Sequence, residues 1–139
     1  SGAGEEVTSL TITLDWPEAD LSPNARVHHM ALHRARKKAK NAAWGITKAL
    51  MPPMGIAYRS WRGLVEVSIA FHPSANRAFD LDNALARLKG HLDGIALALG
   101  VDDSTFAFRL SRGERSNPPR VVVTLTPAAV VLPVIGVIE

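Results

Sequence analysis

The chain has 139 residues, of which 47% are hydrophobic and 21% charged, and this balance predicts one folded domain rather than a disordered segment. The absence of cysteine excludes disulfide frameworks, thiol catalysis and the common zinc motifs. The net charge is only +3, and no apolar run reaches the roughly 18–20 residues that a membrane span requires.

The periodicity of apolar residues predicts six elements in the order β-α-β-α-β-β. We expect strands over residues 7–16, 64–72, 105–111 and 120–126, and helices over residues 25–50 and from Asp82 or Asn83 to Leu99. This order predicts an α/β (α+β) domain over residues 1–139, with a small mixed four-stranded sheet covered by two helices.

Alternation and helical spacing also predict which side chains face the core. In the strands these are Leu10, Ile12, Leu14, Val65, Val67, Ile69, Phe71, Phe106, Phe108, Leu110, Val121, Val123 and Leu125. In the first helix they are Ala31, Ala35, Ala39, Ala42, Ile46 and Ala49, which would let that helix lie close to the sheet. In the second helix they are Leu85, Leu88, Leu92, Ile95 and Leu99, and Gly100 ends that helix.

Both ends of the chain are set apart from this pattern. Residues 1–6 are expected to be a disordered tag remnant, because the chain opens on Ser-Gly-Ala-Gly. Residues 128–139 are apolar and contain a proline and a glycine. They predict either an additional strand of this chain's own core or a segment exchanged with a second copy in a dimer.

Charge is distributed unevenly along the chain. Residues 21–65 contain nine Lys and Arg and no acid, so they carry +9. Residues 80–103 contain five Asp against one Arg and one Lys, so they carry −3. A polyanion partner would explain the basic segment, and metal ligands would explain the acidic one.

The acidic residues lie at the two ends of the second predicted helix. Asp80 and Asp82 precede it, two residues apart, and an extended backbone would direct both carboxylates the same way. Asp102 and Asp103 follow it, and two or three converging carboxylates suit Mg²⁺. Helix caps and a solvated turn are the alternative interpretation of these acids.

A polar stripe along the second helix joins Asp82, Lys89 and Asp93, which are spaced by seven and four residues. Asp82 and Asp93 are about 16 Å apart along a helix and cannot share one ion. Asp93 is therefore expected to contact the metal ligands without touching the ion, to pair with Lys89, or to contact a dimer partner.

The first predicted helix has a cationic side with one tryptophan. Arg26, His33, Lys37, Lys40, Trp44 and Lys48 project opposite the alanine face, with Arg34 and Lys38 at one edge and Arg36 at the other. Such a stripe can follow a phosphate backbone, and Trp44 could stack on a base, insert at a branch point or pack in a dimer. A solvated lysine-rich face is the alternative. We interpret His28, His29 and His33 as surface or DNA contacts rather than metal ligands.

Taken together, these segments resemble the RusA family of Holliday junction resolvases, which are mostly phage or prophage endonucleases. The resemblance rests on Asp80-Leu81-Asp82-Asn83, Lys89, Leu92-Asp93-Gly94-Ile95 and Leu99-Gly100-Val101-Asp102-Asp103, and on Leu21-Ser22-Pro23-Asn24-Ala25-Arg26-Val27-His28. It covers roughly residues 10–126.

The resemblance implies a homodimer that resolves four-way DNA by paired nicks with Mg²⁺ or Mn²⁺, in the cytoplasm of a bacterial host. It assigns Asp80, Asp82 and Asp103 as catalytic, metal-binding carboxylates and Asp102 as their support. The family's lysine falls on Ala86 here, and Lys89 lies one turn later. Lys89 or Arg77 would offset charge in the transition state while the cation activates water for attack at phosphorus. The DNA contacts are then Asn24, Arg26, His33, Arg34, Lys37, Lys38, Lys40, Trp44 and Arg77.

Two other functions fit the same sequence. One is a non-catalytic, junction-binding architectural protein whose carboxylates only cap helices. The other is a metal nuclease that acts on other branched DNA or on RNA.

Overall fold

The computed structural model describes residues 9–22, 28–53, 61–76 and 78–127. The helices and strands are β1 (Leu10–Asp15), α1 (His29–Leu50), β2 (Val65–His72), α2 (Leu81–Arg87), α3 (Lys89–Leu99), β3 (Phe106–Arg112) and β4 (Arg120–Pro127). Short 3₁₀ turns at Ala19–Leu21 and Asp103–Thr105 precede α1 and β3. The predicted α+β class is confirmed, while the predictions for residues 1–6 and 128–139 lie outside the described residues.

The four strands form one mixed sheet in the order β1-β4-β2-β3. β4 runs antiparallel to both β1 and β2, whereas β2 and β3 are parallel. β1, β2 and β3 therefore point the same way, and the helices are the crossovers that parallel strands require. α1 joins β1 to β2, and α2 with α3 joins β2 to β3.

The core lies between the helices and one face of the sheet. Every second residue of β1, β2 and β4 is buried there, as the alternation predicts: Leu10, Ile12, Leu14, Val65, Val67, Ile69, Phe71, Val121, Val123 and Leu125. From the helical segment, Leu88, Leu92, Ile95 and Leu99 are buried as predicted, and Leu85 is half-buried against them. Each of the larger side chains contributes about 1.5–3 kcal/mol by leaving water.

The helices leave one edge of the sheet, strand β3, partly uncovered. β3 is an edge strand, and Phe106 is buried while Phe108 remains 43% exposed. The expectation that Phe108 is part of the core is therefore wrong. Its side chain shares a face with Phe106, but α2 and α3 do not extend far enough over β3 to cover it.

α1 packs closely on α3, and its Ala43 also belongs to the core cluster that the strand residues form. Two glycines make this close packing possible: a Cβ atom at Gly90 would lie 2.8 Å from the carbonyl oxygen of Arg36, and one at Gly94 would overlap that of Lys40. Because glycine has a hydrogen atom where other residues have a Cβ atom, the backbones of α1 and α3 come into direct contact.

The buried row of α1 differs from the predicted alanine face. Ala39, Ala43 and Thr47 are buried, four residues apart, and the Thr47 hydroxyl donates a hydrogen bond to the carbonyl of Ala43. Ala42, Ile46 and Ala49 are exposed. The prediction is confirmed for Ala39 and wrong for Ala42, Ile46 and Ala49. Alanine is small enough for either environment, so alternative rows of alanines cannot be ranked by hydropathy.

Both helix starts also differ from prediction. α1 begins at His29 because the ring Nδ1 of His28 accepts a hydrogen bond from the N–H of Met30. The second predicted helix begins at Leu81 and is divided at Leu88, whose backbone leaves helical geometry at φ −92° and ψ 2°. Gly100 ends α3 as expected, and its backbone is left-handed, with a φ of 74°.

Candidate metal and nucleic-acid site

Asp80 and Asp82 lie at the beginning of α2. The side chain of Asp80 accepts a hydrogen bond from the N–H of Asp82 at 3.0 Å, so Asp80 is the N-cap of the helix. The backbone is extended at Asp80 but helical from Leu81 onward, so the predicted extended pair is incorrect. Leu81 packs against the core, and both carboxylates are exposed.

The segment before Asp80 is anchored from β3. The guanidinium of Arg112 donates a hydrogen bond to the carbonyl of Phe79 at 2.7 Å and lies 5.2 Å from the centroid of its ring. Phe79 in turn meets Trp16 and Phe71 edge to face. The position of Asp80 is therefore fixed by contacts with the neighbouring residue.

Asn83 connects this acidic segment to the approach to the basic helix. Its side-chain oxygen accepts a hydrogen bond from the hydroxyl of Ser22 at 3.2 Å. The segment before α1 and the start of α2 thus meet in space. Asn24, Arg26 and Arg77, predicted as DNA contacts, lie outside the described residues.

Asp102 and Asp103 follow α3 as predicted. The side chain of Asp102 accepts a hydrogen bond from the N–H of Ser104 at 2.9 Å, and this bond lowers the pKa of Asp102. Asp102 is thus the cap of the 3₁₀ turn that leads into β3. Asp103 is exposed and turns toward α3.

Asp93 is the acid that the structure places beside Asp103. Partial burial, followed by the hydrogen bond and the charge of Asp103, raises the pKa of Asp93, while Lys89 and Lys40 act in the opposite direction. Asp93 and Asp103 are called the acid pair below. The sequence did not pair Asp93 with Asp103, because the two come from different elements; the polar stripe through Lys89 and Asp93 was the available signal.

The three predicted metal ligands do not meet within one chain. Asp103 lies with Asp93, whereas Asp80 and Asp82 lie at the other end of the α2–α3 segment. Among residues 9–22, 28–53, 61–76 and 78–127, no three acidic or histidine side chains are grouped as one metal site. One chain therefore offers its acids as two separate pairs.

A hollow of about 340 Å³ opens beside the acid pair, between the helices and β3. Its lining residues, which define the acid pocket, are Leu85, Ala86, Lys89, Leu92, Asp93, Asp103, Phe106 and Phe108. Lys89 and Ala86, the two positions considered for the family's lysine, both line it. Lys89 and Asp103 therefore line the same pocket, and the exposed Phe108 forms part of its wall.

A second hollow of about 500 Å³ runs between α1 and α3. Its lining residues, which define the basic groove, are His33, Arg36, Lys37, Lys40, Asn41, Gly90, Asp93 and Leu97. The predicted DNA contacts His33, Lys37 and Lys40 are therefore brought together. Asp93 lines both the basic groove and the acid pocket, so the two hollows are neighbours at this residue.

The remaining predicted DNA contacts on α1 are divided between its sides. Trp44 is 41% exposed and follows Lys40 by one turn, with Lys48 6.0 Å from its ring centroid. Lys38 lies on the opposite flank, with its Nζ 3.9 Å from a carboxylate oxygen of Glu18. Arg34 is exposed and does not line the groove.

His91 occupies the buried side of α3, next to the end of β1. Its Nδ1 is buried without a hydrogen-bond partner, and burial lowers the pKa of His91, although the charges of Glu18 and Asp15 oppose the shift. Arg87 donates hydrogen bonds to the carbonyls of Pro17 and Glu18, which holds the loop after β1 against α2.

Fold and site together define an α+β protein with a mixed four-stranded sheet and an acid pair at the end of a cationic groove. No family model matches the sequence. The chain is 38% identical over 124 residues to an uncharacterized protein of Xylella fastidiosa (strain Temecula1 / ATCC 700964), with 84% of this chain and 75% of that protein covered. The chain therefore belongs to the same protein family as this Xylella protein.

In the part of the chain that the structure describes, no helix combines the length and the apolar character needed to cross a bilayer.

Proposed function

We propose that this chain is a divalent-cation-dependent endonuclease that resolves four-way DNA junctions, the activity that its resemblance to the RusA family implies. The observation that carries the proposal is that Asp93 lines both the basic groove and the acid pocket, which places the cations of the groove next to the acid pair. A phosphate backbone attracted to the groove is thereby brought beside the acid pair. The combination of a track for phosphates and carboxylates at its end supports phosphodiester hydrolysis.

The residues at the acid pair fit Mg²⁺ or Mn²⁺. Mg²⁺ is commonly held by one or two carboxylates together with waters and substrate phosphates, so a three-acid cage is unnecessary. Asp103 is exposed and Asp93 is partly buried, which leaves oxygen atoms open to an ion. A divalent cation bound there supplies Lewis-acid activation of the phosphodiester and of water.

A second copy of the chain would complete the predicted set of ligands. Asp80 and Asp82 belong to the residues that resemble the RusA family, yet they stand at the start of α2, whereas Asp103 follows α3. If these carboxylates act on one ion, a dimer can supply the two pairs from different protomers. A two-fold axis would then create two equivalent sites, as paired nicks require.

The basic residues have separable roles in this proposal. Lys37 and Lys40 bind phosphates in the groove, which positions the strand. Lys89 lines the acid pocket and offsets the charge that develops on the phosphoryl oxygens. Asp102 acts indirectly, because its cap holds the turn that carries Asp103.

The test is cleavage of a labelled four-way junction with Mg²⁺, Mn²⁺ or EDTA, beside labelled duplex, flap and RNA substrates. We expect divalent-dependent, paired cleavage of the junction and its loss in Asp103→Asn with junction binding retained. Glu66→Gln is the control, because Glu66 is exposed on the sheet face away from the helices. Wild-type cleavage by Asp103→Asn, or preferred cleavage of the other substrates, would contradict the proposal.

One observation favours a second candidate, a non-catalytic junction-binding protein. Asp80 and Asp102 both serve as helix caps, accepting hydrogen bonds from Asp82 and Ser104. Tight junction binding without cleavage across Mg²⁺, Mn²⁺ and Co²⁺ would select this candidate.

A further inference from the structure

The basic groove continues past its cations into exposed apolar side chains. Leu97 lines the groove and is 55% exposed, and Trp44 is 41% exposed. The backbone nitrogen of Trp44 would lie 3.1 Å from a Cβ atom at Gly94, so Trp44 stands where α1 and α3 are closest. Along α1, the cationic side chains of this surface are therefore followed, one helical turn after Lys40, by the aromatic ring of Trp44.

The spacing of these side chains along α1 places them in one row. His33, Lys37, Lys40 and Trp44 follow one another at intervals of four, three and four residues, and such neighbours lie on the same side of a helix. The row runs about 16 Å along the axis. This is a length over which several consecutive phosphates of one strand can be contacted.

The mixture of charge and aromatic surface distinguishes between forms of nucleic acid. A duplex presents phosphates but keeps the faces of its bases stacked, so an exposed indole has nothing to stack on. A strand with an unpaired nucleotide offers both a phosphate and a free base face, and such stacking adds about 1–3 kcal/mol per base.

A second copy of the chain is a poorer occupant of the groove. Two-fold pairing through this face would oppose Arg36, Lys37 and Lys40 to their own counterparts, which like-charge repulsion disfavours. The other exposed apolar residue of this part of α1, Ile46, lies on the opposite flank, four residues after Ala42. The apolar surface is thus not one continuous patch.

We propose that the basic groove binds a single DNA strand with an unstacked base, whose phosphates contact His33, Lys37 and Lys40 and whose base stacks on Trp44. The choice of DNA rests on the proposed function. The groove then selects the unpaired nucleotides at a branch point. Asp93 lines the groove and belongs to the acid pair, so the bound strand meets the acid pair at this residue.

The test is binding in EDTA, where cleavage cannot occur, of fluorescent oligo-dT, a matched duplex and oligo-rU. We expect oligo-dT to bind more tightly than the duplex and to quench tryptophan emission in the wild type but not in Trp44→Phe. Trp44→Ala should weaken oligo-dT binding roughly 5- to 100-fold. Lys40→Ala should weaken it and reduce the dependence on salt, whereas Ile46→Ala should leave it unchanged.

The outcomes separate this inference from the proposed function. Unchanged oligo-dT affinity in Trp44→Ala and Lys40→Ala overturns the inference even if the wild type cleaves junctions. Tighter binding of duplex or of oligo-rU also overturns it, as does a change of self-association, instead of DNA affinity, in Trp44→Ala. Trp44-dependent binding of oligo-dT by a protein that never cleaves DNA supports the inference and contradicts the nuclease. Circular dichroism checks that each variant is folded.

Discussion

Asp93 on α3 and Asp103 in the turn before β3 hold their carboxyl groups within hydrogen-bonding reach of each other, and this contact contributes to the raised pKa of Asp93. Two acids brought together in this way repel each other once both are ionised. Lys89 and Lys40 lie close enough to offset part of that repulsion. A divalent cation would offset it further, which is the reason for placing the ion here.

This repulsion predicts that a substitution harmful to activity will stabilise the fold. Asp103→Asn removes one negative charge from the acid pair and leaves an amide that can donate a hydrogen bond to Asp93. We expect the free energy of unfolding at pH 7 in EDTA to rise by a few tenths of a kcal/mol. Urea denaturation measures the change; Glu66→Gln should show none, and a less stable Asp103→Asn would contradict the repulsion.

The close contact between α1 and α3 predicts opposite effects for two glycine substitutions. Gly94→Ala puts a methyl group into the backbone of α1 at Lys40, and overpacking of this kind costs about 1–3 kcal/mol. Gly45 lies within α1 with no atom near its position for a Cβ, so Gly45→Ala should stabilise by about 0.5–1 kcal/mol.

Thermal and urea unfolding compare the two glycine variants directly. A Cβ atom at Gly94 would displace the backbone of Lys40, which lines the basic groove, so Gly94→Ala should weaken DNA binding, whereas Gly45→Ala should not. Equal stability of the two variants would show that α1 does not pack on α3 as described.

Arg112 is expected to act on cleavage as a positioning residue through Phe79 and Asp80. Removing its guanidinium leaves the carbonyl of Phe79 without this donor and frees the segment that carries Asp80. We expect Arg112→Gln to lower kcat roughly tenfold with little change in KM, and Arg112→Lys to recover part of the loss. Arg109→Gln, on the other face of the same strand, is the control, and a change confined to KM would contradict this role.

Burial of His91 predicts a dependence of stability on pH. Because burial lowers the pKa of His91 in the folded state, the unfolded chain takes up a proton first as the pH falls. Above about pH 7, the contribution of His91 to the free energy of unfolding should therefore not change with pH. It should decline as the pH drops through about 6.5, the value for an unfolded histidine, and level off below the folded pKa.

His91→Gln should remove this part of the pH dependence. Urea denaturation of both proteins between pH 7.5 and 5.5 gives the difference between them. A wild type that gains stability relative to His91→Gln on acidification would contradict the assignment.

Much of the fold follows from local pattern in the sequence. The strict alternation in β1, β2 and β4 identifies their buried faces, because a period of two admits only one choice once one face is apolar. Gly100 marks the end of α3 because its left-handed backbone strongly favours glycine.

The contacts between elements are less visible in the sequence. The alanines of α1 fit several helical rows, and the glycines at 90 and 94, which decide where α1 lies, are informative only together with the backbone they meet. The partnership of Asp93 with Asp103 depends on how α3 and the following turn pack. The local signal for this partnership in the sequence was the spacing of Lys89 and Asp93 along one face of the helix.

The measurement that tests the central claim most directly is cleavage by a mixture of two inactive variants, Asp82→Asn and Asp103→Asn. If Asp82 of one protomer and Asp103 of the other act on the same ion, each mixed dimer contains one intact site and one doubly substituted site. The account predicts that each variant alone is inactive and that the mixture nicks a four-way junction without making paired cuts. A mixture that forms mixed dimers but remains as inactive as either variant would contradict it.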